Sequence, residues 1–154
     1  MTYWMLIIGI LMMAVTVGIH AFGSAYWLGY MASWNNRWKH VDGTKSLYRA
    51  VVLTAVFLLL LHFLEMIIGA LFYISLPEKA GLTGFPEAIY FSMVTFTSLG
   101  YGDITLHQGW RALSSLEAMV GITVFGLTTA LLFAVIQRLW EKTKDVTSGD
   151  EREI

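Results

Sequence analysis

The sequence predicts an all-α membrane protein with three spanning helices and one shorter helix that enters the bilayer and returns. Three observations predict it. Hydrophobic residues make up 56% of the 154 residues and charged residues only 14%, against about 45–50% and about 25% in average globular chains. Three apolar segments each exceed the roughly 20 residues that a spanning helix requires. Between the second and third lies another apolar run, too short to cross.

The first segment runs from about Tyr3 to about Met31. No Lys or Arg precedes Arg37, so the basic start of a secretory signal is missing. The apolar stretch also exceeds the about 7–15 residues of a signal core. It reads as a retained helix over 1–32. Small residues at Ala14, Gly18, Ala21, Ala25 and Gly29 form a stripe suited to close helix packing. This helix is expected around the periphery of the rest, in a structural or regulatory role.

Residues 33–46 read as a linker. It carries Arg37, Lys39 and Lys45, with Arg49 just beyond. The tail after the third segment carries Lys142 and Lys144, and Arg138 lies at its edge. The positive-inside tendency makes both cytoplasmic and puts the N-terminus outside. Residues 141–154 read as a short, charged, frayed cytoplasmic tail.

The second apolar segment covers about Leu47 to about Leu76, and the third about Trp110 to about Trp140. Between them Pro86 suits the first turn of a helix, and Glu87 suits its positive end. A helix from Pro86 to Thr97 would be about 18 Å long at 1.5 Å per residue. Backbone without regular structure is tolerated at membrane depth only inside protein or beside water. The run Thr97-Ser98-Leu99-Gly100-Tyr101-Gly102-Asp103 is such backbone.

That run resembles the TVGYGD signature of potassium channels. The stretch 47–140 as a whole resembles the two-transmembrane-type potassium channel pore of bacterial ion channels, with an additional N-terminal helix. The resemblance implies a homotetramer in membrane lipid that passes K+, and since no segment has Arg or Lys at every third position, no voltage sensor is expected. It implies that the carbonyls of Ser98, Leu99, Gly100 and Tyr101 bind the ions, with Gly102 completing the filter. No cofactor other than the K+ ions is expected. Thr95, Thr97, Tyr90 and Asp103 are expected to support the filter.

A dehydrated potassium ion needs closely spaced oxygens in place of its water. Successive carbonyls can face one axis only if some residues take positive φ, which Gly100 and Gly102 do at no steric cost. Leu99 stands where the family usually has Val or Ile, and Ser98 where it usually has Thr. Tyr90 and Phe91 occupy the positions of a Trp-Trp pair in many relatives. The Tyr90 hydroxyl is expected to take over an indole's hydrogen bond to Asp103.

The third helix resembles the inner helix of the same family. Gly121 falls at the usual hinge position and Gly126 where close helix approach is common. The resemblance implies that Ile122, Phe125 and Thr129 face a cavity, with a constriction between about Leu132 and Leu139.

Four titratable groups are unusual in this setting. His62 and Glu65 lie three apart on one helix face. His62 and Glu65 are read either as a proton sensor or as a hydrogen bond that fixes packing. His20 in the first apolar segment and Glu117 in the third raise the same question. His107 is a further titratable group outside the spans.

Several classes drop out. A net charge of -1 provides no basic field for nucleic acid. The chain has no cysteine, hence no disulfide or thiol chemistry. No nucleophile–base pair converges, so an enzyme is not expected. The alternatives are a less selective monovalent cation channel, a transporter and a non-conducting accessory subunit. The compact size points to a prokaryotic plasma membrane.

Overall fold

The computed structural model describes residues 3–37 and 43–150. Among them four α-helices follow one another: α1 (Tyr3–Arg37), α2 (Gly43–Ser75), α3 (Phe85–Phe96) and α4 (Arg111–Asp150). A 3₁₀ element, Pro77–Gly81, caps the end of α2. Three helical stretches are long and apolar enough to cross a membrane: Tyr3–Ser33, Tyr48–Ser75 and Arg111–Arg138. The protein is an all-α, multi-pass membrane protein. Helix α3, at 12 residues, spans only about 18 Å and cannot cross alone.

Helix α3 starts where its sequence says it should. Pro86 occupies its first turn. Glu87 reaches back to accept hydrogen bonds from the Thr83 backbone N–H at 2.6 Å and from the Thr83 hydroxyl. These bonds hold the Glu87 carboxyl below the usual carboxylate range. They also fix where the chain turns inward.

Two apolar clusters wedge α3 between its neighbours. The outer one joins Tyr73 of α2 and Leu76 just after it, Ala88 and Phe91 of α3, and Leu113 of α4 with Trp110 before it. The inner one joins Met66, Phe96, Val120 and Val124, with Met13 and Val17 of α1 packed against it. The two clusters meet end to end along α3, so the short helix is held along its length. In lipid such packing rests on close fit rather than on expulsion of water.

Helix α1 packs on both α2 and α4. Trp27 stacks on Phe57 at 4.3 Å and donates to the Thr54 hydroxyl at 3.0 Å. Trp4 meets Trp110 edge-on at 5.5 Å. The expected small-residue stripe is not what packs. Ala14, Gly18, Ala21, Ala25 and Gly29 are exposed. The packed face instead carries Gly9 against Leu116, Gly23 against Leu61, and buried Thr16, His20 and Ser24. Polar groups cannot face lipid cheaply, so His20, Thr16 and Ser24 set the orientation and the small stripe follows outward.

Two boundaries move as well. Helical structure reaches Arg37 and resumes at Gly43, inside the expected linker. Positions 38–42, including Lys39, lie outside the described residues. The tail expected to fray continues as helix to Asp150, since nothing between Trp140 and Thr147 breaks a helix and a long span already supplies the nucleus. Residues 151–154 lie outside the described residues.

Gly121 is where α4 touches the end of α3. A Cβ there would sit 1.8 Å from the Phe96 carbonyl oxygen. The obstacle is backbone, which cannot swing away. A Cβ at Gly126 meets nothing within 4 Å. Gly121→Ala is therefore expected to lower the thermal unfolding midpoint of the purified protein, by an overpacking cost of about 1–3 kcal/mol or more. Gly126→Ala should leave that midpoint within the error of the same assay.

Candidate functional site

The loop after α3 is shaped by where its amide groups go. Ser98 N–H donates to the Thr95 carbonyl at 2.9 Å. Leu99 and Gly100 N–H both donate to the Val94 carbonyl, at 3.0 and 3.1 Å. No peptide bond among the described residues is cis. In a trans peptide the carbonyl points opposite to the N–H that follows it. The Thr97, Ser98 and Leu99 carbonyls therefore point away from α3, on the open side of the subunit.

Positive φ makes this possible. Gly100 has φ +53° and Gly102 φ +77°, the two positions singled out for it in the sequence. Ser98 also has φ +59°, which the sequence did not signal. A side chain there costs about 1–2 kcal/mol. The tie from Ser98 N–H to Thr95 holds it in place.

Asp103 anchors the far end. The Tyr90 hydroxyl donates to Asp103 Oδ2 at 2.6 Å. With the backbone N–H groups of Asp103 and Ile104, this bond holds the carboxyl below its usual range. The same bond pushes the Tyr90 phenol up. Thr97 turns its hydroxyl back to the Met93 carbonyl at 2.7 Å, so it finishes α3. Thr95 contributes its backbone carbonyl. Leu99 and Tyr101 are 55% and 68% exposed on the single chain. A groove of about 560 Å³ opens beside the loop, bordered by Tyr90, Val94, Gly100, Asp103 and Ser114.

The residues assigned to a cavity divide. Ile122, Gly126 and Thr129 are exposed on α4. Phe125 is not among them. It is half-buried, with its ring 4.6 Å from His62 and 5.7 Å from Phe96. Aromatic partners inside the subunit hold it there. Gly121 is buried against Phe96, a packing role that its position alone did not distinguish from a hinge.

Two buried polar clusters lie behind the loop. Glu117 accepts from Ser92 at 2.6 Å and from the Tyr73 hydroxyl at 2.7 Å, which ties α4 to α3 and α2. Glu65 accepts from His62 at 3.2 Å and also from His20 at 3.0 Å. Thr128 Oγ1 lies 2.9 Å from His62 Nε2 and 3.4 Å from His20 Nε2. The spacing of His62 and Glu65 was legible in the sequence, but their convergence with His20 and Thr128 was not. Among the described residues, His20, His62 and Glu65 are the group whose donor atoms could hold a metal ion.

A short helix, clasped by two spanning helices and followed by a loop whose first carbonyls turn away from it, defines a pore-loop membrane protein. A family model described as "Ion channel" matches residues 60–138, from within α2 through the spanning part of α4. That is more than half of the chain, and the chain belongs to this ion channel family. The family is not a family of enzymes. No solved structure matches the chain.

Because Tyr90 is the largest influence that lowers Asp103, its hydroxyl can be tested alone. A depressed carboxyl contributes stability at neutral pH and loses it as pH falls through the depressed value. In Tyr90→Phe, Asp103 should protonate at higher pH than in the wild type. Carboxyl-carbon NMR titration of Asp103 reads this directly, and coincident curves would remove the hydroxyl as the cause.

Proposed function

We propose that four copies of this chain assemble around one axis as a passive, potassium-selective channel. The single observation that carries the reading is the loop Ser98–Tyr101, whose first amides are tied inward to α3 while the Ser98 and Leu99 carbonyls point away from it. Four such loops would stack rings of oxygens in place of the hydration shell of K+. The Ser98 hydroxyl would complete the innermost site. The exposed Leu99 and Tyr101 and the groove beside the loop support assembly, because a neighbouring subunit would cover them.

Several features serve this function. The carbonyl end of α3 is the negative end of its dipole and would favour a cation below the filter. Ile122 and Thr129 would border the cavity beneath. The Tyr90–Asp103 bond would brace the outer mouth. The basic residues flanking the spans favour a cytoplasmic C-terminus and an outside N-terminus, in the plasma membrane of a prokaryote.

Ser98 and Leu99 favour a second reading, a less selective monovalent cation channel. Leu99 branches one atom later than the family's Val or Ile, and β-branched residues are stiffer. Ser98 lacks the methyl that restrains Thr.

Purified protein in liposomes is expected to pass K+ and Rb+ and to exclude Na+, with reversal potentials in mixed ions near the K+ equilibrium value. Gly100→Ala should abolish the flux, because its Cβ opposes φ +53°. A reversal potential midway between the two ions would select the second reading, and no flux at all would end both. In the conducting protein, Tyr90→Phe should speed the decay of current during sustained opening, read in the same bilayers.

A further inference from the structure

Helices α1, α2 and α4 meet at a polar cluster that conduction along the loop does not use. The Glu65 side chain is wholly buried. It accepts from Nδ1 of His20 and from Nδ1 of His62. With hydrogens on both Nδ1 atoms, the Nε2 atoms of neutral imidazoles are acceptors. Both face one hydroxyl, that of Thr128. A hydroxyl carries a single hydrogen. It serves one Nε2 and presents a lone pair to the other. The cluster is thus one hydrogen short, and the negative charge of Glu65 stands unbalanced within the apolar spans.

One added proton removes both defects. One Nε2–H then donates to Thr128 Oγ1, and the Thr128 hydrogen goes to the other Nε2. Every polar atom of the cluster is bonded and its net charge is zero. We propose that His20, His62, Glu65 and Thr128 form a buried one-proton site that latches α1 and α2 onto α4. When the proton leaves, the unmatched Nε2 and the Thr128 oxygen repel, and α4 is released at that level.

The surroundings leave few other candidates for the charge. From α1 the group facing the site is His20, and from α2 they are His62 and Glu65. From α3 comes only the Phe96 ring, 6.0 Å from His62. From α4 come Thr128 and, further along, Glu117, which borders the same void of about 10 Å³ as Glu65 and is already bonded to Ser92 and Tyr73. A divalent metal ion is the competing ligand, since the His20, His62 and Glu65 donor atoms lie within 4.8 Å of one another and two imidazoles with a carboxylate suit one. It would leave a net positive charge among apolar side chains, whereas a proton leaves none.

The latch holds the inner helix through Thr128 and, beside it, through Phe125, whose ring lies tilted against His62. Its effect on current rests on the channel reading, but its effect on stability does not. The test is thermal unfolding of the full-length protein in detergent from about pH 5 to about pH 8, the range over which an imidazole ordinarily changes charge. The wild-type folding equilibrium is expected to weaken with rising pH, approaching about tenfold per pH unit as one proton leaves. Thr128→Val and His20→Gln should flatten that slope, whereas Glu117→Gln should keep it. Liposome flux should follow the same pH curve and lose its pH dependence in Thr128→Val. PH-linked stability without any flux would uphold the latch and end the channel reading. A flat wild-type profile, or an unchanged slope in Thr128→Val, would overturn the latch. So would Zn2+ restoring alkaline stability in the wild type but not in His20→Gln, which would assign a metal ion instead.

Discussion

The carbonyl of Val94 holds the functional loop in shape. It accepts from two successive amides, Leu99 and Gly100, one more than a carbonyl within a regular helix takes. Those bonds consume the loop's donors on the side facing α3 and leave its acceptors on the other side. A loop so polarised suits a cation and nothing anionic. Everything else in the subunit serves to keep the end of α3 where Val94 can do this. Thr83 and Glu87 fix its start, the two apolar clusters hold its sides, and the Phe96 carbonyl rests on Gly121.

Rigidity behind the loop comes from polar groups as well as packing. Glu117 receives hydroxyls from α2 and α3 at once. Bonds that charge strengthens are shorter and stronger than neutral ones, and water is too scarce there to compete. A three-helix tie of this kind resists sliding of α4 along α3, which apolar contact alone resists poorly. The neighbouring Glu65 cluster ties α4 to α1 and α2 through histidine, whose bonds change with a single proton. The two carboxylates lie near one another yet join different helices through different chemistry.

Much of this was legible in the sequence, for physical reasons that can be named. Spanning helices announce themselves because lipid demands long apolar runs. Pro86 and Glu87 marked the start of α3, and Gly100 and Gly102 marked positive φ. The Tyr90–Asp103 bond was inferable because a hydroxyl replaces an indole N–H as donor. What the sequence did not reveal depends on rotation and on distance along the chain. The facing of α1 was misread because small residues and polar residues compete for the packed side, and polarity wins. Phe125 turned inward because His62 and Phe96, remote in sequence, wait there. Ser98 takes a conformation that its residue type does not favour.

Helix α1 has a consequence for whatever dissolves in the surrounding lipid. Met13 and Val17 lie over the inner cluster of Met66, Phe96, Val120 and Val124. A bare pair of spanning helices would leave that seam open to the hydrocarbon. Here an acyl chain or a greasy small molecule approaching sideways meets α1 before it can reach the Phe96 end of α3. The added first span acts as a shutter over that flank.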